Sequence, residues 1–406
     1  MANTSQPVKL DRSGRTPPHL GTLVLMAGVA VGAMNIYLPM LPEIADEFGV
    51  TPATAQYVLT LFLAATACAQ LFIGPLADRY GRRPVLLITS LIFIGATFVS
   101  IFANSIEMLL FGSVMQASSA AWVALSRAIV RDLYDRSKAA SMIGYVTMAM
   151  AVVPMITPSI GGFVGELYGW RAPYVVIMLF GVVLFCVIYT DLGETFKPVE
   201  LTFSERLADY GSPLREPMVW RYFLCSTAAA GAYFAFLGGA PFVGTEVIGV
   251  SPSVLGVYFA AVAVGYMFGN FLSGRFSQSW GIEPMMVYGG IVACIGVSIS
   301  LYLMTNFEPR IEYLFYPMAL VGMGNGMTLP NSNAGAISVR PDLAGSASGL
   351  GGFLQIGGGA ALASLSGMLI SVENQAIPLY LIMLATSFTG SVIAAFMYFK
   401  VRQDGV

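Results

Sequence analysis

Long apolar runs with almost no charge inside them recur twelve times along this chain, and no other feature restricts its fold so severely. A hydrocarbon core takes about twenty apolar residues per helical crossing. In lipid, the backbone N–H and C=O groups of such a run must be paired within the run, which makes it a helix. The expected crossings are 21–43, 53–75, 84–104, 107–128, 139–163, 172–192, 220–243, 253–275, 284–304, 312–333, 344–371 and 377–399. Hydrophobic residues make up 56% of the chain and charged residues 10%, whereas soluble domains are about a quarter charged. The expectation is an all-α membrane protein whose function is carried out across or within a bilayer.

An even number of crossings puts both termini on one side. With the N-terminus inside, all of the 20 Lys and Arg except Arg171 and Arg310 fall on or beside cytoplasmic segments, as the positive-inside rule requires. Residues 1–20, carrying Lys9, Arg12 and Arg15, read as a cytoplasmic tail, and residues 400–406 as a second. The first apolar run is too long for a signal-peptide core. A net charge of −2 points to no particular partner, and no basic-aromatic surface suited to nucleic acid is visible. Cys68, Cys186, Cys225 and Cys294 stand singly, without metal or redox spacing. His19, the sole histidine, lies in the tail. Histidine relays and metal sites are therefore not expected, nor is any cofactor. No nucleophile, base and orienting group can be picked out, so an enzyme is not expected either.

The chain divides near its middle. Residues 193–219 form its longest polar stretch and link two expected six-helix blocks, 21–192 and 220–399. Within the linker, Thr202 and Glu205 have capping-box spacing, and Phe203, Leu207 and Tyr210 would share a helical face. The two readings are a short amphipathic helix on the inner membrane surface and a solvated linker with some helix. A faint repeat supports the division: Gly74, Gly81 and Pro84 between the second and third crossings recur as Gly274, Gly281 and Pro284 between the eighth and ninth. Related halves enclosing a central site form a transporter architecture.

Around Gly74, the residues Gly74, Asp78, Arg79, Gly81, Arg82 and Arg83 resemble the signature of the major facilitator superfamily. Gln70, Gly74-Pro75, the run from Ser126 through Arg127 and Arg131 to Asp132, the run Pro154, Pro158, Gly161 and Gly162, and Glu194-Thr195 together resemble its Bcr/CflA drug-resistance subfamily. The likeness runs over the whole chain. It implies two pseudo-symmetric bundles of six helices, export of small organic molecules by alternating access coupled to protons, a bacterial inner membrane and a monomer in contact with lipid.

Each motif has a physical reading. Gly74 would let the second helix approach one of the other half closely at the cytoplasmic face. Asp78 would face the positive N-terminal end of that helix while pairing with Arg82 or Arg131. By resemblance this is a latch of the outward-facing state, and the plainer alternative is that these charges only set topology. Pro154 and Pro158 would bend the fifth helix, and Gly161 and Gly162 would let it press on a neighbour. The resemblance assigns this element to sealing the outer route of antiporters, whereas an ordinary kink is the plain alternative.

The chain departs from the subfamily where an acid and an arginine are expected. Asn35 replaces the aspartate of the first helix, and Ser113 replaces the arginine three residues before Gln116. At about 1.5 Å per residue they lie about 12 and 9 Å from the outer ends of their helices and could face one another. Losing both is coherent, because an unpaired arginine in the membrane costs at least about 2.5–3.5 kcal/mol. The remaining candidate coupling acids are Glu166 and Glu246, at outer helix ends. By family arrangement, a polar uncharged cavity would include Asn35, Tyr37, Gln116, Tyr233, Phe236, Asn325 and Asn331, flanked by Tyr57, Tyr258 and Gln355. Aromatic walls with a few amides suit a neutral or zwitterionic amphipathic solute. The missing pair leaves two alternatives to a proton-coupled exporter: an uncoupled facilitator of a neutral metabolite, and a membrane sensor or assembly subunit that does not transport.

Overall fold

The computed structural model describes residues 18–134, 136–195, 216–339, 344–369 and 377–403. The expected amphipathic segment around Thr202 and Glu205, and most of the linker, lie outside the described residues. Among those described there is no strand; twelve helical segments follow one another. Helix α1 runs through Leu20–Asn35 and a 3-10 turn, Leu38–Met40, into Leu41–Phe48. Then come α2 Pro52–Tyr80 and α3 Arg82–Ile101. Helix α4 comprises Ile106–Gln116 and Ala120–Leu133, joined by the turn Ala117–Ser119. It is followed by α5 Arg136–Tyr168 and α6 Ala172–Asp191. In the second half, α7 Pro217–Phe242 ends in a π turn, Val243–Val247, and α8 Pro252–Trp280 and α9 Ile282–Asn306 follow. A single turn, Ile311–Phe315, leads into α10 Met318–Val339, before α11 Ala344–Leu369 and α12 Ile377–Gln403.

Ten of these segments are long and apolar enough to cross a membrane, making this a multi-pass membrane protein. The other two are α5, helical over the fifth expected crossing, and α10, which covers the tenth from Met318 onward. Boundaries follow local chemistry. Pro52 opens α2 after Thr51, whose Oγ1 accepts from the Thr54 N–H at 3.2 Å. Gly81 and Gly281 break α2 from α3 and α8 from α9 at φ of 98° and 96°, a region that glycine enters without a Cβ clash. The sequence repeat is thus repeated as backbone geometry.

The end of α6 and the start of α1 lie together, since Asp191 Oδ2 accepts from the His19 N–H at 2.8 Å. This end, which also carries the α2–α3 and α8–α9 breaks, is called the near end; that of the α1–α2 turn is the far end. Within the first half α3 packs on α6 and α1 on α5; within the second α9 packs on α12 and α7 on α10. Two seams join the halves, α2 on α11 and α5 on α8. They exchange under the operation that maps helices one to six onto seven to twelve.

Aromatic side chains fill the bundles. Tyr37 stacks on Tyr174 at 5.5 Å, Phe93 meets Trp122 edge-on at 4.7 Å, and Phe236, Phe259 and Phe315 form a cluster with centroids 5.1–6.1 Å apart. On the outside, Phe98, Leu179, Phe271, Ile291 and Phe388 are exposed, as lipid-facing side chains of a membrane bundle are.

Candidate functional site

At the far end the α5–α8 seam closes backbone to backbone. Gly162 lies on the carbonyl of Pro252 and Gly256 on that of Pro158, while Gly161 backs onto the carbonyl of Ile36 in α1. A Cβ at any of these would collide, so small residues set the approach. Pro154 and Pro158 both sit inside α5. Polar contacts reinforce the seam: Ser159 Oγ donates to the Gly256 carbonyl at 3.1 Å, and the Ser253 N–H donates to Glu166 Oε2 at 3.2 Å. Glu166 of the first half therefore caps the N-terminus of a helix in the second, where the exposed amides and the helix dipole favour an anion. Glu246 lies in the π turn that closes α7.

The other seam, α2 on α11, is polar at the far end, where Gln56 Nε2 donates to the Ala363 carbonyl at 2.5 Å. Further along, Gln70 lies against Gly352 and Ala67 against Gly357. Contact then stops. A Cβ built on Gly74 meets nothing within 4 Å among the described residues, and neither does one on Gly274. The halves are closed on each other at the far end, and among the described residues neither Gly74 nor Gly274 meets the other half.

The near-end signature residues are tied together inside the first half. Asp78 Oδ1 pairs with Arg82 Nη1 at 2.7 Å, and Arg82 Nε reaches Asp132 Oδ2 at 3.2 Å. Glu194 accepts from the Arg82 and Arg83 N–H groups at 2.9 and 3.2 Å, capping α3. Its carboxylate leaves no room for a Cβ at Gly81. The Arg83 guanidinium donates to the Tyr189 carbonyl at 3.0 Å and lies over that ring, while Arg79 lies over Tyr80. The side chain of Arg131 is outside the described residues. So are residues 340–343, which lead into α11.

The ten candidate cavity residues do not converge. Asn35 and Ser113 each donate to a carbonyl of their own helix, Val31 at 2.8 Å and Leu109 at 3.0 Å, and both are buried. Gln116 Nε2 turns to Thr97 of α3 at 3.0 Å, and Tyr37 is buried against Tyr174 of α6. Phe236 belongs to the aromatic cluster, and Asn331 Nδ2 binds Ser273 Oγ of α8 at 2.8 Å. Asn325 borders a void of about 10 Å3 among α7, α9, α10 and α12. Tyr258 donates to Glu312 at the far end at 2.8 Å. Tyr57, Tyr233 and Gln355 remain partly exposed. Asn35, Ser113, Gln116 and Asn331 thus pair with neighbours inside their own half, as most buried polar groups do, whereas the buried Tyr37 hydroxyl has no hydrogen-bond partner among the described residues.

Two residues not singled out for a cavity role join Tyr233. Arg127 Nη2 reaches Met150 Sδ of α5 at 3.5 Å, and its charge stands within electrostatic reach of Tyr266 in α8, across the gap between the halves. Tyr233 of α7 lies within electrostatic reach of Tyr266 in turn. All three are partly exposed. From the sequence Arg127 reads as a basic residue flanking the membrane. The available signal was its position inside α4, six residues before Leu133, where an arginine needs a polar or aqueous surrounding.

A profile of the Major Facilitator Superfamily matches residues 23–364. The chain is 29% identical to multidrug resistance protein D of Escherichia coli K12, over 86% of this chain and 88% of that protein. It is 30% identical to a chloramphenicol resistance protein of Pseudomonas aeruginosa, over 88% of this chain and 85% of that one. Among solved structures, a peptide transporter, POT, in complex with sulfate superposes with a TM-score of 0.78 at 13% identity, covering 96% of this chain and 95% of that one. That likeness is one of fold.

Proposed function

The chain belongs to the Major Facilitator Superfamily, and from that premise we propose that it exports small amphipathic organic molecules of the kind handled by resistance transporters, by rocking its two six-helix halves. The observation that carries this reading is the pair of seams closed backbone to backbone and through Gln56 at the far end, while among the described residues neither Gly74 nor Gly274 meets the other half. One-sided closure is what alternating access requires. The distribution of Lys and Arg makes the near end cytoplasmic, so this state faces the cytoplasm of a bacterial inner-membrane protein, with its termini inside. In the outward-facing state Gly74 and Asp78 would meet α11, and the far-end seams would part. The protein works as a monomer.

Cargo would enter between the halves toward Arg127, Tyr233 and Tyr266. One guanidinium with two phenols favours neutral or anionic solutes with good hydrogen-bond acceptors and disfavours lipophilic cations. The resistance proteins among its relatives support a drug-like cargo. Protons drive the cycle through a far-end carboxylate, Glu166 or Glu246, since Asn35 and Ser113 occupy the positions of the usual charged pair. That same substitution favours the second reading, a facilitator that only equilibrates a neutral metabolite.

Efflux from cells expressing the chain separates the two. Amphenicols and neutral aromatic compounds are tested with and without a proton uncoupler. Uphill efflux abolished by the uncoupler is the expected result. Equilibration that ignores the uncoupler would establish the facilitator, and no movement of any compound would remove the transport reading.

A further inference from the structure

Gln56 is buried near the start of α2, yet its carboxamide does not stay in its own half. Its Nε2 donates to the Ala363 carbonyl of α11. The amide group occupies the space where side chains at two glycines of the other half would be, since a Cβ at Gly238 of α7 would strike Nε2 and one at Gly367 of α11 would strike Oε1. The Oε1 atom is buried without a hydrogen-bond partner among the described residues. The arrangement is a polar key in a glycine slot.

We propose that Gln56 is the reversible latch of the far-end gate, a positioning residue whose insertion between Gly238 and Gly367 closes that end and whose release opens it. The geometry contains both halves of a reversible device. The donor bond and the fitted slot favour insertion. The stranded acceptor favours withdrawal, because Oε1 regains water once the far end opens. A wholly apolar plug would lack that second term and would hold the gate shut more firmly. The proposal rests on the alternating-access reading, but its test reads distances and needs no substrate, so the two can fail separately.

The full-length chain, with its native cysteines replaced by serine, carries spin labels at Asp46→Cys and Asn306→Cys, exposed far-end positions in opposite halves. Gly367→Ala fills the slot and is expected to lengthen the label distance, with loss of the closed population. Gln56→Ala by itself removes the key and its bond to the Ala363 carbonyl, and is expected to lengthen the distance as well. An unchanged distance in either variant overturns the latch. Should Gly367→Ala not fold, Gln56→Glu serves in its place. Ionised, it has no donor for the Ala363 carbonyl and opens the end; protonated, its O–H donates and closes it. A reversible shortening on acidification, absent from the parent chain that keeps Glu43, Glu47, Glu166 and Glu246, is the expected result, and a distance independent of pH refutes the proposal.

Discussion

Along α5 and α8 the halves meet backbone to backbone, Gly162 on Pro252 and Gly256 on Pro158; along α2 and α11 they meet through the amide of Gln56. The contrast is sharpest because the positions correspond. The spacing that carries Gly74 to Gly274 and Gly81 to Gly281 carries Gln56 to Gly256, so one seam bears a key where its pseudo-symmetric counterpart bears a hole. Glycine contacts are rigid, since there is no side chain to move aside. An amide can withdraw by rotating about its own bonds. The comparison teaches that the α5–α8 seam defines how closely the halves approach, while the α2–α11 seam adjusts how readily they part.

The strongest challenge to that division is Gly256→Leu. Its side chain would strike the Pro158 carbonyl and the Ser159 backbone, and overpacking on this scale costs about 3 kcal/mol, roughly a hundredfold in the closed population. Distances between labels at Asp46→Cys and Asn306→Cys are expected to lengthen and efflux to fall to background. An unperturbed distance would mean that the backbone contact does not set the approach.

Next in size is Arg82→Ala, which tests whether the near-end charges belong to one half. Losing charge-assisted bonds to Asp78 and Asp132 is expected to cost about 2 kcal/mol, read as a lower melting temperature of the purified protein. The far-end distances should not move. A distance change without loss of stability would show that the network bridges the halves in this state.

A smaller effect is expected from Arg127→Gln, which should leave both seams intact and change selectivity. Replacing a charged donor by a neutral one lowers its hydrogen-bond strength by about 1 kcal/mol, about fivefold in the ratio of anionic to neutral compounds exported. Equal loss for both classes would make Arg127 a structural residue of the seam region. The smallest change in the far-end distance is expected from Glu166→Gln. The exposed carboxylate adds a charge to the cap of α8, while an amide oxygen still accepts from Ser253. A slight lengthening of the far-end distance that vanishes in concentrated salt would fit screening of a charge–dipole contact. A shift that persists in concentrated salt would point to lost hydrogen bonding instead.

Much of this was legible in the residues. The apolar runs gave the helices, each expected crossing overlaps a helical segment, and Asp78 pairs with Arg82, one of the two partners expected for it. The cavity residues were less legible. Tyr37, Gln116 and Asn331 are polar residues in lipophilic helices, and sequence cannot tell a group facing cargo from one bonded to the next helix. Arg127 was masked by a rule that counts arginines by loop, and Gln56 looked like any polar residue near a helix start.

The sequence alone determined that the chain spans a bilayer many times as two related halves, because backbone desolvation in lipid admits only self-satisfied helices and glycine repeats mark their breaks. Only the tertiary structure decided which end is closed, which polar groups face a neighbour, and that Gln56 enters a slot made by Gly238 and Gly367. Those outcomes depend on how helices far apart in the chain are rotated and packed, and helical periodicity fixes neighbours within a helix but not across the gap between two.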